Sequence, residues 1–405
     1  MNLISFDNIY QKTDETKDFF FLHEWRKEDY KKIPEFLYEM FAKIKKLDPE
    51  FEYDIQSSSN ISTYLGDNAS YYDNYVVNQK YKTHEKSFNF LVPKLLQGNY
   101  FILNNALYIP LLFLEKAPID RVTNDDYSKN KIYANVSPIY NFTFDFTDSK
   151  AIYFKNKKID MDLFLKVVFD QDKEKLDYFK EIGLIEETYL TSEKVDVADK
   201  RKLMKYFGFQ KESFFDHVDI AQWIDDYLIM NFHHDLFYDY YGIRGIKEIT
   251  LKIVEFYQTG EVIDMANIAN RRVVMSEYLI KALFELYFRL LTGIINKKGQ
   301  NFLPTINPNV MLTSGFNQMM HRGNLYDISI PFPSPLINKI SQDISIITDG
   351  RLPKSWVRND ESAFGIFCPI SVSAAKTSSN IVFTLDSMIN KFGRIKINEG
   401  AINDQ

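Results

Sequence analysis

His233, His234 and Asp235 stand side by side, with His217 upstream, and form the one feature that resembles a metal-ligand set. A His-Asp doublet with a further histidine suits a metal-dependent phosphohydrolase, in which His217, His234 and Asp235 would be the ligands. Adjacent helical residues point about 100° apart. Phe232, Leu236, Phe237 and Tyr238 surround the doublet, so the competing reading is a packed helix. The single cysteine, Cys368, lies in FCPIS with no basic residue close by. It reads as a small buried hydrophobe rather than a nucleophile.

Cations offer a second kind of chemistry. Arg271 and Arg272 open a long amphipathic segment, and basic residues at a helix N-terminus oppose the helix dipole. Either Asp264 or Glu261 compensates them, or a nucleic-acid phosphate or another domain does. Arg351, Lys354, Arg358 and Lys376 lie in loop-like sequence with Trp356 and Phe364 among them. Basic and aromatic side chains on loops suit a single strand and its bases, although Asp349, Asp360 and Glu361 dilute the charge. No glycine-rich phosphate loop, no GxSxG nucleophile elbow and no Asp-x-Asp-x-Asp cluster occurs.

The elements that must position these residues follow from periodicity. Ile33–Lys46 predicts a helix, and the Ser-, Asn- and Tyr-rich stretch Ile55–Tyr81 predicts surface. Residues 98–109 predict a hairpin turning at Asn104-Asn105, because Asn tolerates the positive φ of a tight turn. Phe142, Phe144 and Phe146 alternate with polar residues, the pattern of a strand with one buried face, and Ala151–Phe154 is its return. Residues 160–260 read mainly as helices, with Ile246–Tyr257 ending near Gly260. Val274–Asn296 predicts the strongest helix, with Glu277–Lys281 and Glu285–Arg289 as i,i+4 pairs. Asn301–Pro335 is loop-rich. Ser379–Lys391 predicts a last helix with Gly393 at C′. The order implies an α+β chain with more than one subdomain.

The composition is that of a globular protein, with 405 residues, 45% hydrophobic and 26% charged. A balance of 49 basic against 55 acidic residues gives a charge of −6, which argues against a simple polyanion-binding module. One cysteine allows no internal disulfide and points to a reducing, cytoplasmic compartment. No signal peptide is expected. No membrane span is expected either, because Val273–Ile295 carries Glu277, Lys281, Glu285 and Arg289.

Six segments, in order, resemble the amino-terminal half of the β subunit of multisubunit DNA-directed RNA polymerases. They are GNYFILNNALYIPLLFLEKAPI (98–119), ANVSPIYNFTFDF (134–146), EITLKIVEFYQTGEVIDMANIANRRV (248–273), SPLINKISQDISIITDGRLP (334–353), VRNDESAFGIFCPIS (357–371) and NIVFTLDSMINKFGRI (380–395). The chain stops where that family's second half, with its double-psi barrel, would follow. In this it resembles the split subunits of giant-bacteriophage RNA polymerases. There are departures. SVSAAKTSS (371–379) stands in place of the family's ETPEGP. Ser341, Gln342, Asp343 and Ile344 stand in place of the basic HKRR of the rifamycin pocket.

The resemblance implies an RNA polymerase β-like α+β fold of several subdomains without the double-psi barrel. Residues 1–121 would be a first protrusion-like part and 122–262 a lobe-like part. Residues 263–333 would be a second protrusion-like part and 334–405 the start of the fork. It implies a subunit that walls the DNA cleft, with Arg271, Arg272, Arg351, Lys354, Arg358 and Lys376 on phosphates and Phe142 against an unpaired base. Phe142 also fits a buried face. Catalytic Mg2+ would be held by a partner chain, with no metal or other cofactor on this one. Implied partners are a C-terminal β-like chain, β′-like chains, template DNA, nascent RNA and a possible promoter-specificity factor, in a host cytoplasm. The alternatives are a viral scaffold protein and the His-Asp phosphohydrolase.

Overall fold

The structure is a computed structural model. It describes residues 18–58, 72–96, 101–103, 106–110, 112–121, 130–155, 157–170, 172–185, 196–210, 212–261, 267–296, 325–327, 344–346, 362, 366, 380–381 and 387–396.

Strand β1 (Phe19–Phe21) runs into helix α1 (Leu22–Leu47). Ile33, Phe36, Leu37, Met40, Phe41 and Ile44 are buried at helical spacing, so one stripe of α1 faces the core. Glu24 accepts from the Phe21 N–H at 3.2 Å, and Lys45 and Lys46 fall in the last turn. Both ends therefore carry the charge that suits the helix dipole.

Strands β2 (Phe51–Ser58), β3 (Tyr72–Tyr81) and β4 (His84–Pro93) form an antiparallel sheet beside α1. This corrects the surface reading for residues 55–58 and 72–81, and residues 59–71 of that stretch lie outside the described residues. Ile55 pairs with Val77, and Val77 and Tyr81 are buried. Val, Tyr and Ile at alternate positions outweigh the polar composition of the stretch.

The expected hairpin is present as β5 (Phe101–Leu103) and β6 (Ala106–Pro110), with Leu103 paired to Ala106. Strand β7 (Leu112–Lys116) follows, and then β8 (Ile119–Arg121), β9 (Lys131–Asn135), β10 (Asn141–Asp145), β11 (Ala151–Phe154) and β12 (Lys157–Asp160). The last five form one antiparallel sheet in the order β12-β11-β10-β9-β8, and the β10–β11 pair is the one the alternation predicts.

Six helices come next. They are α2 (Met161–Val168), α3 (Lys173–Glu181), α4 (Val197–Tyr206), α5 (Ile220–Tyr227), α6 (Asn231–Tyr241) and α7 (Gly245–Thr259). Helix α7 ends at Gly260 in the left-handed conformation, as the sequence suggests.

Strand β13 (Arg271–Val274) precedes helix α8 (Glu277–Asn296). The two arginines are thus on a strand, not on the helix N-terminus, and α8 starts on an acid. Short strands β14 (Leu325–Asp327), β15 (Ile344–Ile346), β16 (Asn380–Ile381) and β17 (Met388–Asn390) complete the described elements. The predicted last helix is corrected at Asn380–Ile381 and Met388–Asn390, which are the strands β16 and β17, and residues 382–386 lie outside the described residues.

The topology joins distant segments. Strand β7 pairs antiparallel with β13 on one side and parallel with β15 on the other, and β16 adds to β15. Everything from β8 to α7 lies in sequence between two strands, β7 and β13, that are direct neighbours. Gly393 closes this region. Its φ is 90°, and a Cβ there would collide with the Val273 carbonyl oxygen, so no other residue fits. The backbone approach is used, because the Val273 N–H donates to the Gly393 carbonyl at 2.7 Å. The fold is mixed α+β. Among the described residues no helix is long and apolar enough to cross a membrane.

Candidate functional site

The β13–α8 junction holds three buried charged side chains, Arg271, Arg272 and Glu277. Pairing with β7 sets Arg272 opposite Glu115, and the turn into α8 brings Glu277 back over the strand. Arg272 Nη1 donates to Glu277 Oε1 at 2.5 Å, and Nη2 donates to Oε2 at 2.7 Å and to Glu115 Oε2 at 3.2 Å. Arg272 is 0% exposed and Glu277 5%. The Arg272 guanidinium holds the Glu277 carboxyl down to about 2, against the cost of burial. Glu277 also sits in the first turn of α8, where the helix dipole favours an anion.

This geometry corrects three of the expected nucleic-acid contacts. Arg272 is buried, and both its terminal nitrogens donate to carboxylates inside the protein. Arg271 is 3% exposed, and its carbonyl accepts from the Tyr240 hydroxyl at 3.1 Å. Neither arginine presents a cation to a phosphate. The carboxylates that compensate Arg272 are Glu277 and Glu115. Asp264 lies outside the described residues. Phe142 is 0% exposed. Phe154 stacks on it at 4.9 Å, Phe164 lies at 5.7 Å and Phe207 meets it edge-on at 5.9 Å. A base has no ring face to reach, and the alternation reading of Phe142 holds. Arg351, Lys354, Arg358 and Lys376 lie outside the described residues.

The metal-site reading does not assemble. His234 Nε2 lies 3.0 Å from the Asp225 carbonyl oxygen, and Asp235 pairs with Arg244 at 3.1 Å. Among the described residues no group of three or more His, Cys, Asp or Glu is placed to hold a metal ion.

A cleft of about 390 Å³ opens beside the junction, between α1, the start of α6, the first turn of α8 and the turn after β17. Asp29 on α1 fixes one wall. It accepts from the Ser276 N–H at 2.7 Å, 247 residues away, and from Lys32 at 2.5 Å. Lys32 in turn lies 4.1 Å above the Phe232 ring. His233 stands in the wall at 1% exposure, and neither ring nitrogen has a hydrogen-bond partner. Burial, aided by Arg272, His234 and Lys32 against the opposing pull of Glu277, pushes its pKa down to about 3, so the ring is neutral. A neutral imidazole keeps one donor and one acceptor. Leaving them unmet costs on the order of 1–3 kcal/mol.

No family model matches the chain, and no curated protein matches it. The geometry therefore stands by itself. It comprises a neutralised buried arginine that ties β7, β13 and α8 together, and a polar cleft next to it. Neither holds a nucleophile with a base. The sequence pattern pointed to Arg272 and His233 but not to their surroundings. The one legible signal for the junction was an acid five residues after an arginine at the start of an apolar helix.

Proposed function

We propose that the chain is an amino-terminal β-like subunit of a multisubunit DNA-dependent RNA polymerase. The observation that carries this reading is where the resembling segments meet. Segments 98–119, 248–273, 334–353 and 380–395 contribute β7, β13, β15 and β16, which form one four-stranded sheet. A chance set of weak matches, spread over nearly 300 residues, has no reason to converge on a single sheet. The layout supports the same reading. An inserted lobe-like part needs two protrusion-like strands that pair across it, and β7 and β13 pair in this way.

On this reading the reaction is template-directed nucleotidyl transfer, with two metal ions held by a partner chain. This chain forms one wall of the DNA cleft. Arg351, Lys354, Arg358 and Lys376 are its phosphate contacts, which position the nucleic acid without reading sequence. Arg271, Arg272 and Phe142 hold the wall together and touch no nucleic acid.

The test is co-purification of the full chain, tagged and expressed together with the genes around it. RNA synthesis that depends on template, ribonucleotides and Mg2+ is expected to fractionate with the tag, beside a chain bearing an Asp-x-Asp-x-Asp cluster. Template-dependent synthesis that elutes without the chain would refute the assignment.

A further inference from the structure

Lys155 is a cation in surroundings that suit a neutral amine. Strands β11 and β12 pair Phe154 with Lys157, so two residues connect them, and Lys155 is the first. Its φ is 51°, the sign that a two-residue hairpin turn demands and that favours Asn, Asp or Gly. Lys82 holds the same conformation after β3, but it pairs with Glu50 at 3.4 Å. Lys155 has no such acid. Among the described residues neither an ion pair nor a hydrogen bond holds its Nζ.

The turn instead lays Lys155 on three aromatic rings. Nζ lies 2.8 Å from the ring centre of Phe288 on α8, 4.0 Å from that of Tyr140 and 5.6 Å from that of Phe154. The rings support one another, with Tyr140 5.3 Å from Phe154 and edge-on to Phe288 at 5.6 Å. Ring faces attract an ammonium, but they replace only part of the water it loses. Lys157, exposed on β12 and also without an ion-pair partner, repels it. Burial among the rings, aided by Lys157, pushes the Lys155 pKa down to about 7. The other charges at these rings are Glu285 and Arg289 on α8, and both act on Tyr140 rather than on Lys155. Lys155 is half-buried and its Nζ is not sealed from solvent, so a small reagent can reach it.

We infer that Lys155 is a nucleophilic amine and a site of covalent acylation, with acyl phosphates as the class of donor. Desolvation and a neighbouring cation are the two devices that make a lysine a nucleophile at neutral pH, and both are present. The Nζ lone pair attacks the acyl carbon. A C–N bond forms, and the bond from that carbon to the phosphate oxygen breaks. The phosphate departs with the amine proton as hydrogen phosphate. Lys157 offers a cation to the anionic donor. The product is a neutral amide, which costs less to hold against three rings than an ammonium does. The inference does not depend on the polymerase reading, because it is tested on the chain alone.

The experiment incubates the full chain with acetyl phosphate and follows acetylation at each lysine by peptide mass spectrometry. At neutral pH, Lys155 is expected to react ~10-fold or more faster than Lys158, an exposed lysine on the next strand. Its rate is expected to level off above about pH 8. In the urea-unfolded chain the lead of Lys155 is expected to vanish. Lys157→Glu, at an exposed position, is expected to slow Lys155 by ~3-fold or more. Three results would overturn the inference. One is equal rates at Lys155 and Lys158 in the folded chain. Another is a lead that survives unfolding, which would place its origin in the local sequence and not in the rings. The third is a Lys157→Glu chain in which Lys155 reacts as fast as in the native one.

Discussion

Arg272 on β13 and Glu277 at the head of α8 form a two-pronged ion pair, with both contacts at 2.7 Å or less and neither side chain exposed. Removing one partner of such a pair leaves the other charged and buried, which costs about 3–5 kcal/mol. Glu277→Gln is expected to lower the urea midpoint accordingly. The double change Arg272→Met with Glu277→Leu should be far milder. The pair also sets an acid limit. Because the folded Glu277 carboxyl is held down to about 2 from 4.5, its contribution is complete above pH 4.5 and disappears as pH falls through about 2. Equal loss in the single and double variants would show that the pair is not what holds the junction.

His233 adds a second acid limit to the same region, at higher pH. Its folded pKa is pushed down to about 3 from 6.5, so between these values the unfolded chain binds the extra proton. Stability from this group is therefore full above pH 6.5 and falls as pH drops toward 3, by about 1.4 kcal/mol per pH unit. Unfolding curves from neutral to mildly acidic pH should show this slope in the native chain, and His233→Phe should flatten it. Glu277, Arg272, Lys32 and His234 all act on the ring. An unchanged slope in the variant would assign the effect to one of them.

Two glycines separate backbone strain from collision. Gly183 has φ of 72° and open space where a Cβ would sit. Gly183→Ala should cost only about 1 kcal/mol, from conformation alone. Gly393 adds the approach of the Val273 carbonyl oxygen to its own positive φ. Gly393→Ala should cost about 3 kcal/mol or more and should expose the Val273 amide to hydrogen exchange. Similar melting temperatures for the two variants would contradict the close contact.

Phe142 and the buried arginines bear on nucleic-acid binding by the chain alone. Phe142→Ala is expected to destabilise by about 3–5 kcal/mol. The milder Phe142→Leu should leave any binding of single-stranded DNA unchanged. The isolated chain, with a charge of −6 and with Arg271 and Arg272 buried, should bind DNA weakly and with a shallow salt slope. A filter-binding series across salt concentrations checks both. A Phe142→Leu chain that folds normally but loses DNA binding would restore Phe142 as a stacking residue.

Local pattern determined much of this protein. The Asn104-Asn105 hairpin, the Phe142-Phe144 strand with its return, the helix ending at Gly260 and the apolar stripe of α8 were all legible. Each depends on neighbours within a few residues, where periodicity and turn chemistry act. The mixed α+β class followed from their order. Residues 72–81 misled because Asn and Tyr suggest surface, whereas a long antiparallel partner turns alternate positions inward. The strands β16 and β17 were read as helix for a similar reason, since their pairing partners, Ile344, Ser345 and Phe19–Phe21, are distant in sequence.

Only the tertiary structure decided what the chemistry-bearing residues do. Arg272 looked like a phosphate ligand because its carboxylates come from β7, 157 residues away, and from the far side of a turn. His233 looked like one more residue of a packed helix because the walls of its cleft come from α1, α8 and the turn after β17. Charge and burial are properties of a residue's surroundings. Those surroundings exist only once segments hundreds of residues apart have been brought together.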